Sequence, residues 1–275
     1  MRICLVLIPC LLVSNLLSQD LPKTSSPSPE SPYVERDERQ FDFFPGGKIE
    51  ILTGVPGSIK VVGWQKGSIR VEAEKIIYYE TPEKAKAFLK QSPIRIRHNQ
   101  TSVTIRALAA PEPPALMEVN YTVYVPGERT DVNAKVEKGD LSIEGVSGWI
   151  EATIKEGSID AKSMAGYFSA TTLRGDILVE MSGDRWTGME FDALTRQGSA
   201  DLRLPAAYSA AVQLETRNGK ITVDYPPQVV EGEETPPKIA INKNSQSLKA
   251  SVGDGGAPIR IVTYSGDVKL SLKEQ

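Results

Sequence analysis

Glycine recurs every nine residues through the middle of the chain, and this fixed period constrains the fold more than any other feature of the sequence. An apolar residue stands two positions after each glycine, and a second apolar residue stands four positions after it. This alternation is the period of a β-strand, and the glycine before it suits a tight turn. Five consecutive matches at one spacing indicate a repeat architecture. The glycines are Gly139, Gly148, Gly157, Gly166 and Gly175.

A nine-residue period fits either an antiparallel meander or one half of an 18-residue coil with a strand on each of two faces. In a coil, residues 18 apart lie directly above one another at about 4.8 Å, whereas a meander places them about twice as far apart. Charges alternate in sign along two such columns, which favours direct stacking because opposite charges stabilise neighbouring strands. The columns are Lys138, Glu156 and Arg174, and Glu144, Lys162 and Glu180.

These patterns predict an all-β protein built as a single-stranded β-solenoid, similar to a β-roll or β-helix, with coils of about 18–23 residues. The handedness of the coil stays open. The later glycines Gly198, Gly219 and Gly266 are more widely spaced, which indicates longer coils with insertions. The polar strand at the C-terminus is expected to cap the open end of a sheet.

A short helix interrupts the strands near residues 82–91. Thr81 is a good N-cap, and Pro82 suits the first helical position, where its missing N–H has no partner to lose. Glycine followed by alternating apolar residues precedes this helix three times at intervals of ten, which predicts three strands. These phrases begin at Gly47, Gly57 and Gly67.

The first 18 residues are typical of a secretory signal peptide. Arg2 provides a short basic start, and residues 4–17 form an apolar run that is too short to span a bilayer comfortably. Cleavage is expected after Ser18, and it would leave a mature chain without cysteine. The alternative interpretations are an uncleaved anchor and a buried strand.

We therefore expect a signal peptide at residues 1–18, a disordered tether rich in proline and serine at 19–40, and a β-solenoid domain at 41–275. Within that domain, residues 41–130 would hold the N-terminal strands and the helix, and residues 131–275 the regular repeats and C-terminal coils. No later apolar run could span a membrane. The expected location is the periplasm, the outer-membrane surface or the medium of a bacterium.

Composition argues against several classes of function. The net charge is −3, so no basic excess suggests a nucleic-acid partner. His98 is the single histidine, which rules out a multi-histidine metal site, and its place at a strand end favours an exposed side chain. The repeats also lack the double glycines and regular aspartates of calcium-binding β-rolls. We expect neither a metal nor a cofactor.

Asp140 and Asp176 carry the one enzymatic hypothesis that the sequence offers. They would lie two coils apart in one column, at about 9–10 Å, which is near the separation of the two carboxyl groups in inverting glycosidases. Aspartate after a turn glycine is also common for turn geometry alone. We expect a non-enzymatic protein, with a carbohydrate-active enzyme on a solenoid scaffold as the alternative.

Aromatic residues at outward positions form the candidate binding site. Trp149 and Tyr167 are 18 residues apart, and Trp186 follows 19 residues later. A column of exposed rings could stack on sugar rings or contact a partner protein. The alternatives are stacking between strands and coverage by residues 80–125. The expected partner is a glycan or a protein of the cell envelope, and the oligomeric state is open.

The sequence VNYTVYVP at residues 119–126, together with the glycine phrases that begin at Gly139 and Gly157, resembles the bacterial adhesin-like family of unknown function called DUF4097. The resemblance covers roughly residues 40–273 and implies an exported or membrane-tethered β-solenoid with no catalytic motif. It implies an adhesin or scaffold. A further alternative is an accessory protein of an envelope-stress signalling system.

Overall fold

A computed structural model describes residues 32–78, 81–107, 116–226, 230–231 and 239–273. The expected signal peptide and the first part of the expected tether lie outside these residues. The described chain is all-β with one short helix, and its strands form two large sheets. Among these residues no helix has the length and the apolar character needed to cross a membrane.

The helix α1 covers Pro82–Gln91. The strands before and just after it are β1 (Tyr33–Asp42), β2 (Lys48–Thr53), β3 (Ile59–Trp64), β4 (Ser68–Tyr78), β5 (Ile94–Asn99), β6 (Ser102–Ala107), β7 (Leu116–Pro126) and β8 (Asp131–Lys138). The strands of the regular repeats are β9 (Leu141–Glu144), β10 (Ser147–Glu156), β11 (Ile159–Lys162), β12 (Ala165–Arg174), β13 (Ile177–Glu180), β14 (Glu190–Gln197) and β15 (Ala200–Leu204). The last strands are β16 (Ala210–Thr216), β17 (Ile221–Asp224), β18 (Val230–Glu231), β19 (Ala240–Asn242), β20 (Ser245–Val252), β21 (Pro258–Thr263) and β22 (Val268–Leu272).

Successive strands of the repeat region alternate between the two sheets. The ten-stranded sheet has the order β1-β4-β7-β3-β9-β11-β13-β15-β22-β17. The twelve-stranded sheet has the order β18-β20-β16-β21-β14-β12-β10-β8-β2-β6-β5, with β19 paired to β20. Pairing is parallel through the centre of both sheets, which is the arrangement of a solenoid and not of a meander. Antiparallel pairs, such as β1 with β4 and β5 with β6, lie toward the ends.

Residues 18 apart are direct partners in the regular repeats, as the charge columns predict. Ile150 on β10 pairs with Val132 on β8 and with Phe168 on β12. The offset rises to 23 between Phe168 and Phe191 on β14, because the connection before β14 is longer. It rises to 68 between Phe191 and Ile259 on β21. No single coil length therefore describes the whole molecule.

One charge column forms the contacts expected of it. Glu156 is the register partner of both Lys138 and Arg174, and the Arg174 guanidinium forms an ion pair with the Glu156 carboxylate.

The second charge column pairs differently. Lys162 lies beside Glu144 and Glu180 in register, yet its Nζ atom donates to Asp160 of its own strand at 2.9 Å. This hydrogen bond is the largest of the effects that raise the pKa of Lys162, and the neighbouring glutamates add to it. Glu180 instead accepts from Lys273 at 3.0 Å.

The predicted tether extends too far toward the C-terminus. Residues 33–40 belong to β1, a ten-residue strand that pairs along its full length with β4. Cross-strand ion pairs accommodate its charges, since Arg36 contacts Glu74 at 2.6 Å and Lys75 contacts Glu35 at 2.8 Å. Composition alone suggests disorder here, but alternating charged residues are compatible with an edge strand that has a complementary neighbour.

The C-terminal strand is not a cap. β22 lies inside the ten-stranded sheet, with parallel partners β15 on one side and β17 on the other. Its inward residues Val268 and Leu270 are fully buried. The chain returns past β17 to insert β22, so the order of strands in space differs from their order in the sequence.

The helix is confirmed at both ends and on its buried face. Thr81 is the N-cap and its Oγ1 accepts from the backbone N–H of Lys84 at 3.4 Å. Ala85, Phe88 and Leu89 are buried, so the helix packs its apolar side against the strands.

The core between the two sheets is lined by inward residues of every central strand. A column of alanines on neighbouring strands of the twelve-stranded sheet keeps this core thin, and aromatic rings fill it where the coils lengthen. The alanines are Ala134, Ala152, Ala170 and Ala193. Beside them, Phe168 and Phe191 stack with ring centroids 4.4 Å apart.

Glycine is required at the corner where each coil turns toward the ten-stranded sheet. Gly157 has φ +143°, and a Cβ atom placed on it would lie 2.0 Å from the carbonyl oxygen of Gly139 in the neighbouring coil. Gly175 is related to Gly157 in the same way, with a Cβ-to-oxygen distance of 2.0 Å. The nine-residue glycine period thus reflects close approach of one backbone to the next as well as turn conformation.

Buried threonines secure the same corners. Each stands three residues before a corner glycine, and its hydroxyl donates to a glycine carbonyl of the neighbouring coil at 2.8 Å. They are Thr172, Thr195, Thr263 and Thr216, which are partners on adjacent strands.

Replacing Thr195 with valine is expected to lower the free energy of unfolding by about 1–2 kcal/mol, because the shape is kept while the buried carbonyl of Gly175 loses its donor. Urea unfolding measures the change. Thr153→Val, at an exposed position of β10, is the matched control and should stay within about 0.5 kcal/mol. Equal losses in the two variants would show that the hydroxyl ladder does not stabilise the corners.

Candidate binding faces

Two of the three predicted aromatic residues form a stacked pair on the outer face of the twelve-stranded sheet. Trp149 on β10 and Tyr167 on β12 are register partners, and their rings stack at 3.8 Å with an interplanar angle of 16°. Trp149 is 45% exposed. The pair therefore presents a flat aromatic platform to solvent, with one ring face of each residue used against the other.

Polar groups surround the platform at hydrogen-bonding distance. The Trp149 indole N–H donates to Glu151 Oε1 at 2.8 Å, and Asn133 Nδ2 donates to Glu151 Oε2 at 3.2 Å. Asp131 is the neighbour of Trp149 on β8, and its Oδ1 accepts from the Trp149 backbone N–H at 2.9 Å. That hydrogen bond holds the Asp131 carboxylate close to the sheet, which leaves the indole accessible above it.

Trp186 does not extend this column, and its predicted outward position is wrong. The residue is only 4% exposed and packs edge-on against Phe191 at 5.4 Å. The reason is the longer connection between β13 and β14, which makes Glu190 the register partner of Tyr167. Trp186 lies within that connection and fills the space that the extra residues create.

A second aromatic pair went unnoticed in the sequence. Trp64 on β3 and Tyr124 on β7 lie 5.3 Å apart on the ten-stranded sheet. Cations cover these rings, since Lys66 lies 4.8 Å from the Trp64 ring and Arg70 lies 4.2 Å from the Tyr124 ring. The Trp149 platform has no such cover among the described residues, so it is the more accessible of the two.

The aspartates of the enzymatic hypothesis bind the backbone. Asp140 Oδ1 accepts from the Ser158 N–H at 2.8 Å, and Asp176 Oδ1 accepts from the Ser199 N–H at 2.7 Å. Ser158 Oγ accepts from the Asp176 N–H at 3.2 Å. The alternation of aspartate and serine after the corner glycines is thus a ladder of acceptors that joins each coil to the next, and the sequence carried this signal.

His98 is exposed, as expected, and its ring stacks on Phe41 at 3.9 Å. Within the described ranges, no cluster of three or more histidine, cysteine, aspartate or glutamate side chains could hold a metal ion.

An open groove of about 470 Å³ lies where β8, β10, β12 and β14 end. Its charges largely neutralise one another, since Lys155 pairs with Glu137 at 2.5 Å and Arg174 pairs with Glu156. The groove therefore has no strong preference for a charged ligand.

A family model described as Toastrack DUF4097 matches residues 127–271. No curated protein matches the sequence. A solved candidate cell adhesion protein from Clostridium sporogenes is 10% identical, has a TM-score of 0.40, and the match covers 87% of this chain and 100% of that one. A candidate adhesin from Bacteroides fragilis is 12% identical with a TM-score of 0.38, covering 86% and 97%. A candidate lipid binding protein from Parabacteroides distasonis is 9% identical with a TM-score of 0.29, covering 86% and 96%. Similarity at this level identifies no ligand.

Proposed function

The chain belongs to the Toastrack DUF4097 family, and from this premise we propose that it is an exported, non-enzymatic adhesin or scaffold of the cell envelope that binds a glycan on the Trp149–Tyr167 platform. The observation that carries the proposal is the stacked, uncovered aromatic pair on an otherwise flat sheet face. Export rests on the signal-like residues 1–18.

The chemistry of the platform suits a sugar better than an apolar surface would. The indole face can pack against the C–H side of a pyranose ring, and polar groups beside it can bind hydroxyls. Glu151 and Asn133 are already hydrogen-bonded to each other, so their remaining lone pairs and N–H lie in one plane next to the ring. A protein partner with an exposed loop is the competing occupant of the same face.

A non-enzymatic role is supported by the use of the acidic residues. Asp140 and Asp176 each accept a backbone hydrogen bond that joins two coils, so neither carboxylate is held free for proton transfer. Their column lies on a continuous sheet edge and not across a cleft, whereas glycosidic acids flank a bound sugar.

Removing the platform with Trp149→Ala/Tyr167→Ala is expected to weaken glycan binding by about tenfold or more, because two aromatic contacts are lost. Binding to a panel of envelope polysaccharides, followed by titration calorimetry of the best ligand, measures the effect. The matched control is Trp64→Ala/Tyr124→Ala, which removes an aromatic pair from the other sheet and should leave the affinity unchanged.

The results separate the two kinds of partner. Saturable binding that is lost only in the Trp149→Ala/Tyr167→Ala protein supports the glycan platform. If the wild-type protein binds no glycan while cross-linking at the platform captures an envelope protein, the glycan proposal fails and the face is a protein-binding surface.

A further inference from the structure

Three arginines enclose a small cavity on the outer face of the twelve-stranded sheet. Arg95 and Arg97 on β5 and Arg106 on β6 line it together with Thr104, and its volume is about 130 Å³. A water molecule takes up about 30 Å³ in the liquid, so the cavity has room for a tetrahedral oxyanion.

The register of β5 and β6 forces these charges together. Arg95 lies directly opposite Arg106, and Arg97 lies opposite Thr104, so all four side chains rise from the same face of the antiparallel pair. Like charges directly opposite each other on neighbouring strands are destabilising. The fold therefore maintains a repulsive arrangement here, and a bound anion would relieve it.

The surrounding residues do not supply that anion. Glu50 on β2 is 3.8 Å from Arg106, which is a long ion pair, and it is the one carboxylate that contacts the cluster. Arg95 and Arg97 form no ion pair with any described residue. Lys135 on β8, which also faces outward, adds positive charge to the same face of the sheet. The open groove at the other end of these strands differs, because acidic partners neutralise its basic residues.

We propose that Arg95, Arg97 and Arg106 form a binding site for a phosphate or sulfate group. A guanidinium offers paired N–H donors that match two oxygens of such a group, and three guanidiniums around one cavity can satisfy all of its oxygens. Thr104 contributes a hydroxyl donor at the cavity wall. The site is on different strands from the aromatic platform, so it stands whether or not that platform binds a glycan.

Protection of a sheet edge explains only part of this arrangement. Charged residues on an edge strand discourage pairing with another chain, and β5 is an edge strand. Arg106 and Thr104 lie on β6, which has strands on both sides and needs no such protection. The inward convergence of Arg106 with the two edge arginines points to a shared ligand.

Side-chain NMR of the whole protein tests the site during titration with inorganic phosphate and then sulfate. Saturable shifts of the Nε–Hε signals of Arg95, Arg97 and Arg106 are expected, together with preferential binding of dextran sulfate over neutral dextran. Arg95→Gln/Arg97→Gln should weaken binding of dextran sulfate by about tenfold or more, because two charge-assisted contacts are lost.

The matched control is Arg36→Gln/Arg39→Gln, which removes the same charge from an exposed edge strand of the other sheet. It should leave the affinity within about twofold, since only distant charge is changed. Arginine signals that do not respond to either anion, or an equal loss of affinity in the control, would overturn the proposal, since binding would then reflect net charge alone.

Discussion

Replacing Gly157 with alanine is expected to lower the free energy of unfolding by roughly 3 kcal/mol or more, which is a large part of the stability of an ordinary domain. Two costs add at this position. The backbone has φ +143°, a conformation that residues with a Cβ atom rarely adopt, and the new methyl group would lie 2.0 Å from the carbonyl oxygen of Gly139.

The neighbouring coils cannot move apart to relieve this overlap without losing hydrogen bonds. The N–H of Gly139 donates to the carbonyl of Glu156 at 2.7 Å, and the N–H of Gly157 donates to that of Arg174 at 2.8 Å. A shift large enough to fit the methyl group would lengthen both bonds, and each is part of a continuous parallel ladder.

Gly256→Ala separates the two costs. Gly256 has a similar φ of +130°, but nothing lies within 4 Å of the place its Cβ atom would occupy. Its loss of stability should therefore be limited to the backbone cost of about 1–2 kcal/mol. Urea unfolding of both proteins, read by circular dichroism, gives the comparison. An equal loss in the two variants would mean that close stacking of the corners does not constrain position 157.

The architecture of the repeat region follows from the sequence because each repeat states the same local rule. A glycine marks the corner, alternate apolar residues mark the inward face, and charges 18 apart show which residues are neighbours. The helix was predictable for the same reason, since Thr81 and Pro82 act through their immediate surroundings. In these segments local chemistry and the final structure agree.

The order of the strands outside the repeats could not be predicted in this way. β22 enters between β15 and β17, and β3 enters between β7 and β9, although each pair of neighbours is far apart in the sequence. Nothing in the local pattern of a strand specifies which distant edge it will join. The placement depends on the combined packing of several strands, which periodicity does not express.

The candidate sites show the same division. The Trp149–Tyr167 contact was predictable because both residues lie in coils of equal length. Trp186 was misplaced because the connection before β14 breaks that regularity. The arginine cavity depends on an antiparallel pairing of β5 with β6, whose register the sequence alone leaves undetermined.

The burial of Trp186 leads to the second large effect, at the residue on which it packs. Phe191→Ala is expected to lower the free energy of unfolding by about 3–5 kcal/mol, which is the usual cost of deleting a buried phenylalanine ring. Phe191 is 0% exposed, stacks on Phe168 at 4.4 Å and meets the edge of Trp186 at 5.4 Å. Its removal would leave a cavity that borders both aromatic neighbours.

The size of this loss is also a test of the strand register. Phe191 faces the core only if β14 pairs with β12 at an offset of 23, and a shift by one residue would turn it outward. Phe44→Ala is the control, since Phe44 is 52% exposed and its loss should cost less than about 1 kcal/mol. Urea unfolding of both variants, with Trp186 fluorescence as a local probe, distinguishes the cases. A loss for Phe191→Ala no larger than that of the control would mean that the aromatic side of the core is not formed, because a ring held between Phe168 and Trp186 cannot be deleted at the cost of an exposed one.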